Sequence, residues 1–378
     1  MPIENALLID NRNCLAPDVR VHRVKDLDFI SDFPMFRDSS VNKIFAQIVS
    51  HEGNPCRYVH SGWFTARAGS IIPPLVFSYQ NNPSASFTDI YGKGIGITNW
   101  DVAIMQATGR SSLNWEDNGR SPFLYGNKPN GSLGVVTLDD SRSDAEGSRQ
   151  IDALGIRSRL PIVVYAIDEL KINGAFVAVE ELRGTHFPLN PNIIPTISIW
   201  ARRYPYNFQD LEEYLISASS VSYNGERAAR IVIDSIMTYL RFEKDNEAQR
   251  IVGEYFGLKQ KGYNGALLYL TELKLFDWIA KKYARQMNIM NEHGIYHENL
   301  SVHNMSPLVE FSDNSHVIIR GKEEWVKSPG DHSKNREDAI NNINRFVKAI
   351  ENARGSDGIL TGRNLYRTYI DEYALGKK

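Results

Sequence analysis

Over roughly the first two hundred residues, apolar positions come in short β-branched or aromatic runs broken by Gly, Pro, Asn or Asp. "RYVHSGWFTARAG", "IIPPLVFSYQ", "FTDIYGKGIGIT", "GSLGVVTL", "LPIVVYAIDEL", "GAFVAVEEL" and "IPTISIWARR" all read as strands. One stretch interrupts them: "DDSRSDAEGSRQIDALGI" has helix-forming composition, an Asp/Ser start and a Gly after Leu154, which predicts a helix over residues 139 to 154. Near residue 205 the period changes. From "NFQDLEEYLISAS" through "ERAARIVIDSIMTYLRF", "GALLYLTELKLFDWIAKKYARQMNIMNEHG" and "REDAINNINRFVKAIENA", apolar residues recur at three- and four-residue spacing and predict helices. The expected fold class is therefore α+β, with a strand-rich lobe containing one helix at residues 1–204 and a mainly helical lobe at 205–378.

The length of 378 residues is more than one core usually serves, which agrees with that division. With 42% hydrophobic and 23% charged residues the composition is globular, and no apolar run reaches the roughly 18 residues needed to span a bilayer. The start, "MPIENALLIDNRN", lacks a basic segment followed by an apolar one, so a cytoplasmic protein without a membrane partner is expected. Two cysteines, Cys14 and Cys56, supply neither a disulfide framework nor a zinc site of their own. A formal net charge of -2 gives no long-range attraction for nucleic acid, which is set aside as a partner.

The densest chemistry lies in "HGIYHENLSVHNMS", residues 293 to 306. The helix before it places Leu270, Leu273, Phe276, Ile279, Ala280, Tyr283 and Met287 on one face and is expected to end at His293-Gly294. Past that end, a plain reading of the segment is a polar turn. A second is zinc, from His293, His297 and His303, although no Cys or acidic ligand stands at a standard spacing. Read as H-x-x-L-x-x-x-N, "HENLSVHN" resembles the catalytic loop of protein kinases through His297, Leu300 and Asn304. The resemblance implies a metal-binding role for Asn304, whose amide oxygen suits a hard cation held between phosphates. Asn299 stands where that loop has an Asp; an amide cannot act as a base, but it can position an acceptor.

The resemblance extends upstream. Lys93 ends the predicted strand in "DIYGKGIG", where the kinase fold keeps a lysine that neutralises nucleotide phosphates, and Asp144 or Glu146 on the predicted helix would form the ion pair that holds it. Gly62 and Gly69 in "HSGWFTARAGS" are candidates for backbone N–H groups over the phosphates, without a G-x-G-x-x-G pattern. "YGKGIGIT", "DALGIRSRLPIVVYAI", "ISIWARRYPYNFQDLEEY" and "HNMSPLVEFSD", spread over residues 55 to 315, are similar to successive landmarks of the selenoprotein O family, a kinase-like fold that transfers AMP to protein hydroxyls. That likeness implies a bilobal protein-kinase-like fold, ATP with Mg (or Mn), a phosphate-contacting Arg at Arg202 or Arg203, and a metal-binding carboxylate at Asp313. Two departures stand against it. The loop is longer than in that family, and "PLVEFSDNSHVIIRG" also reads as a hairpin with "SDNS" as its turn, leaving Glu310 as another metal candidate.

The expected partners are a nucleotide and a protein, peptide or small-molecule hydroxyl acceptor. The expected activity is a transferase, nucleotidyltransferase or kinase; the alternative is a catalytically inactive pseudokinase acting as a binding or regulatory module. A ligase-like lysyl-AMP mechanism is a third reading, from "KGIG" at 93 to 96, but the motif's Asp is missing. The six Trp residues, among them Trp63, Trp100, Trp115 and Trp200, are expected in the core, and the polar segment 114 to 132 is expected to be a long loop.

Overall fold

The computed structural model describes residues 19–37, 60–61, 68–70, 76–93, 136–172, 175–178, 194–220, 225–263, 265–321, 324, 327, 329–356 and 359–375. Within them the chain is mixed α and β. The strands are β1 (Val19–Asp28), β2 (His60–Ser61), β3 (Ala68–Ser70), β4 (Phe77–Tyr79), β5 (Asn82–Phe87), β6 (Asp89–Lys93), β7 (Val136–Thr137), β8 (Leu160–Ile172), β9 (Ala175–Ala178), β10 (Pro195–Arg202), β11 (Ile295–His297) and β12 (Val317–Ile319). The α-helices are α1 (Leu138–Ala153), α2 (Phe208–Ser220), α3 (Gly225–Leu240), α4 (Asn246–Gln260), α5 (Ala266–Glu292), α6 (Pro329–Ala353) and α7 (Ile359–Leu375). Strands give way to helices between β10 and α2, where the change of period predicted it. Among the described residues no helix is long and apolar enough to cross a membrane.

Eight strands form one sheet, in the order β1-β8-β10-β6-β3-β2, with β7 added to β10 and β9 to β8; all its pairings are antiparallel. β10 lies between β8 and β6 and is buried from Thr196 to Arg202. Burial on both faces takes in the polar Thr196 and Ser198 as well as Ile197, Ile199 and Trp200. β1, "VRVHRVKDLD", escapes the sequence reading because charged residues occupy the apolar–polar alternation of an edge strand. β5, "NPSASF", escapes because it is small and polar.

α1 begins at Thr137, whose hydroxyl accepts from Asp140 N at 3.1 Å, and it stops before Gly155, whose φ of 84° is the left-handed conformation glycine takes at no steric cost. Its buried positions, Ser141, Asp144, Ala145, Ser148 and Ile151, recur at helical spacing but are largely polar. α2 is started by a reciprocal cap: Asp210 N donates to Asn207 Oδ1 at 2.8 Å and Asn207 N to Asp210 Oδ2 at 3.1 Å. α5 has 27 residues, about 40 Å at 1.5 Å per residue, and ends at His293 with Gly294 at φ 66°. On its predicted face Phe276, Ile279, Ala280, Tyr283 and Met287 are buried and Leu273 is half-buried. Leu270 corrects the prediction, since it stands 52% exposed in the helix's first turns.

The largest core runs through α2 to α7 and takes in Leu300, Val302, Met305, Leu308 and Phe311, so the segment after α5 is anchored in the helical interior. Ile151 and Ile156, at the end of α1, join the same core. A smaller core of Leu27, Tyr91, Ala145, Val164 and Trp200 packs α1 onto the sheet. Trp200 and Trp278 are fully buried, as expected. Trp63, Trp100, Trp115, Cys14, Cys56, Gly62 and the segment 114 to 132 lie outside the described residues.

Candidate functional site

Three elements meet at Lys93. It closes β6, opposite Ser198 of β10 and Ala68 of β3, and its side chain is 19% exposed. Its Nζ lies 3.0 Å from Asp144 Oδ2 on α1 and 3.0 Å from Asp313 Oδ1. Of the two acids considered on α1, Asp144 makes the ion pair; Glu146 is exposed and accepts from Gln150 Nε2 at 3.0 Å. Gly69 sits opposite Gly92 in the neighbouring strand, beside Lys93.

Asp144 also receives Arg159 Nη2 and the backbone N–H of Asn314, the latter at 2.8 Å on Oδ1. Arg159 is 2% exposed and its guanidinium lies 4.4 Å from the centroid of Trp200. Burial works against the charge on Lys93 and on Arg159, and the negative groups around them, Asp144 first with Asp313 and Tyr91, together outweigh it and leave each cation above its ordinary pKa. Burial likewise disfavours charge on Asp313, but Lys93 first and Arg159 next hold its carboxyl well below the usual carboxylate range. The cluster thus carries two carboxylates and two cations in direct contact.

The segment carrying Asp313 is held by its neighbours. Asn314, 1% exposed, donates from Nδ2 to Ser148 Oγ and Ser158 Oγ at 2.8 Å each, and its Oδ1 lies 3.2 Å from His297 Nε2. Gly147 of α1 packs so closely that a Cβ there would stand 2.2 Å from Asn314 O. Among the described residues two non-glycines adopt positive φ, Val309 at 60° and Asp313 at 58°, and both belong to this segment. An Asp tolerates that region; a β-branched Val is strained in it, and such strain gathers at sites whose geometry is over-determined.

The hairpin expected in "PLVEFSDNSHVIIRG" does not form. β12 pairs with β11, while Phe311 bridges to Ser158 and Met305 and is fully buried. Burying Phe311 in the helical core draws its segment inward, and Asp313 leads into a short 3-10 turn at Asn314–His316.

The 293 to 306 segment is an ordered loop. His297 is buried on β11, its N–H donating to Asn335 Oδ1 at 3.2 Å, while Asn335 Nδ2 donates to Ile295 O at 2.9 Å. Asn342, one helical heptad further along α6, donates to Leu300 O at 2.9 Å. Asn304 Nδ2 donates to Asn299 O at 2.8 Å, which orients the amide and leaves its Oδ1 with a 3.5 Å contact from Ser312 Oγ. Asn299 is half-buried, and its side chain accepts from Ser301 Oγ at 3.2 Å. His303 lies beside Ser301 Oγ, with burial lowering its pKa.

The remaining candidates are engaged elsewhere. Arg202 donates to Asp89 Oδ2 from Nε (2.9 Å) and Nη2 (2.7 Å) and lies 3.9 Å over the Tyr91 ring. Arg203 pairs with Glu310 at 3.2 Å, and its backbone N–H meets both Glu310 oxygens at 3.1 and 3.0 Å. Glu310, 3% exposed, is pushed by burial up to about 7 against the pull of Arg203. The second cation beside Lys93 is therefore Arg159, and the carboxylate on the cluster is Asp313, not Glu310. Arg159 was legible only as part of "RSRLPI", two arginines just ahead of an apolar strand, and Asn314 only as the neighbour of Asp313.

Among the described residues no three His, Cys, Asp or Glu side chains converge to hold a metal, so His293, His297 and His303 form no zinc set. Asn304 Oδ1 and the Asp313 carboxylate are instead two hard oxygen donors on one short segment. Oxygen donors of this type suit a magnesium-type cation, which would take water and phosphate oxygens in its remaining positions. No protein-family model and no curated protein matches the chain.

Proposed function

We propose that this chain is an ATP- and magnesium-dependent transferase with a bilobal protein-kinase-like arrangement, which moves AMP or phosphate from the nucleotide to a hydroxyl acceptor. The observation that carries the reading is Lys93 on the sheet, placed 3.0 Å from both the α1 carboxylate Asp144 and Asp313, nine residues after Asn304. Attack of a hydroxyl oxygen on phosphorus, with release of pyrophosphate or ADP, needs positioning and charge neutralisation more than covalent help from protein groups. Lys93, with Arg159 behind it, supplies positive charge for phosphate oxygens. A magnesium ion held by Asn304 and Asp313 would neutralise the phosphates further. Asn299 stands at the loop position from which an acceptor would be oriented, and the acceptor proton leaves to solvent or to phosphate.

One observation favours a second reading, a non-catalytic pseudokinase: Asn299 is an amide tied to Ser301 Oγ and cannot take a proton. ATP labelled at the α- or the γ-phosphate, incubated with the protein, magnesium and lysate, separates the two. Transfer of α-label, lost in Asn304→Ala and Asp313→Ala, is the expected result; transfer of γ-label makes the enzyme a kinase. Absence of both, with no magnesium-dependent thermal stabilisation by ATP, removes the enzyme reading.

A further inference from the structure

The carboxylate proposed to hold the metal already holds a cation. Lys93 Nζ contacts Asp313 Oδ1 at 3.0 Å, and the same ammonium contacts Asp144, which Arg159 also neutralises. The four side chains therefore balance in charge without any ion. A free divalent cation would have to enter a neutral, mostly buried cluster against two fixed positive charges, and would find both carboxylates there already holding a cation. A cation bound to a nucleotide brings its own phosphate ligands and negative charge, and gives the Lys93 ammonium a new partner as it leaves Asp313.

We infer that Lys93 acts as a built-in counter-cation on Asp313, so that the site admits a divalent metal as its nucleotide complex and excludes the free ion. This rests on the proposed nucleotide site and adds which form of the ligand enters. The selectivity resides in one charge on one residue. Replacing that charge should open the site to the bare metal even while phosphate binding is weakened. Asp144 keeps Arg159 and the Asn314 N–H in such a variant, so α1 retains its anchor.

The test is Mn2+ alone, titrated into the full chain and followed by the loss of the free-ion electron paramagnetic resonance signal. Wild type, Lys93→Met, Lys93→Arg and the double variant Lys93→Met/Asp313→Asn are compared, each checked for folding by circular dichroism. Lys93→Gln replaces Lys93→Met if the latter does not fold. The expected result is weak binding by wild type and Lys93→Arg, binding at least roughly ten-fold tighter by Lys93→Met, and loss of that gain in the double variant. Equal Mn2+ affinity in wild type and Lys93→Met, or a gain that survives Asp313→Asn, would overturn the inference. Thermal stabilisation by ATP with magnesium, measured on wild type in parallel, reports on the nucleotide site itself. If it persists while the Mn2+ affinities are equal, the counter-cation role fails and the proposed function stands.

Discussion

Asn314 connects the parts of the site more directly than any residue named for chemistry. Its backbone fixes Asp144, its amide nitrogen fixes two serines on either side of α1's end, and its amide oxygen meets His297. Asn314→Ala removes three side-chain hydrogen bonds from the interior, and a stability loss of about 1–3 kcal/mol is expected in denaturant unfolding. It should also weaken nucleotide binding, because Asp313 is the preceding residue. Glu310 makes a different demand. Its pKa of about 7 in the folded protein exceeds the ordinary 4.5, so folding binds a proton. Stability should therefore fall as pH rises from 4.5 to 7, with a slope of up to about 1.4 kcal/mol per pH unit. Glu310→Gln removes that slope; an unchanged pH profile in the variant would show that Arg203 holds the carboxylate charged throughout.

At the scale of elements, Asp245 ties α4 to α5 beside the Glu247–Lys281 and Glu254–Lys274 pairs. Asp245 caps α4 by accepting from Ala248 N at 2.9 Å, and it also receives Trp278 Nε1 at 3.2 Å and Lys282 from α5. Burial would raise the carboxyl, but the Lys282 hydrogen bond and the cap bring it down to about 2. A depressed folded value means that the stabilisation is complete above the unfolded pKa of 3.8 and vanishes as pH falls toward 2. Asp245→Asn keeps the cap acceptor and loses the charge. It should be less stable than wild type by about 1–2 kcal/mol at pH 6, and equal to it near pH 2.

Elements were legible in the sequence where a single burial pattern governed them. α5 announced itself through its apolar face, and only Leu270, in the exposed first turns, broke the pattern. α1 was legible through its caps and composition but not through periodicity, because the face it buries carries Ser141 to the sheet and Asp144 and Ser148 to the site. The partner of β12 was not legible: its short apolar run fits a local hairpin as well as the distant β11, and the burial of Phe311 decides between them.

For the molecule as a whole, the sequence indicated which residues would meet better than how their charges would be shared. Lys93, Asp144 and Asp313 fall together across 220 residues of chain, yet Arg202 and Arg203 turn inward to Asp89 and Glu310. Pairing among several arginines and carboxylates depends on three-dimensional distances that no spacing encodes. Arg159, named by no motif, is the arginine that joins the cluster, packed on Trp200 behind Asp144.

Under the proposed function this cluster binds a metal–nucleotide complex. Isothermal titration calorimetry with ATP, once with magnesium and once with a chelator, on wild type and Asp313→Asn, tests it most directly. Binding that requires magnesium in wild type and is weakened at least roughly ten-fold in Asp313→Asn is the expected result. Equal affinity with and without the metal, or full affinity in Asp313→Asn, would contradict it.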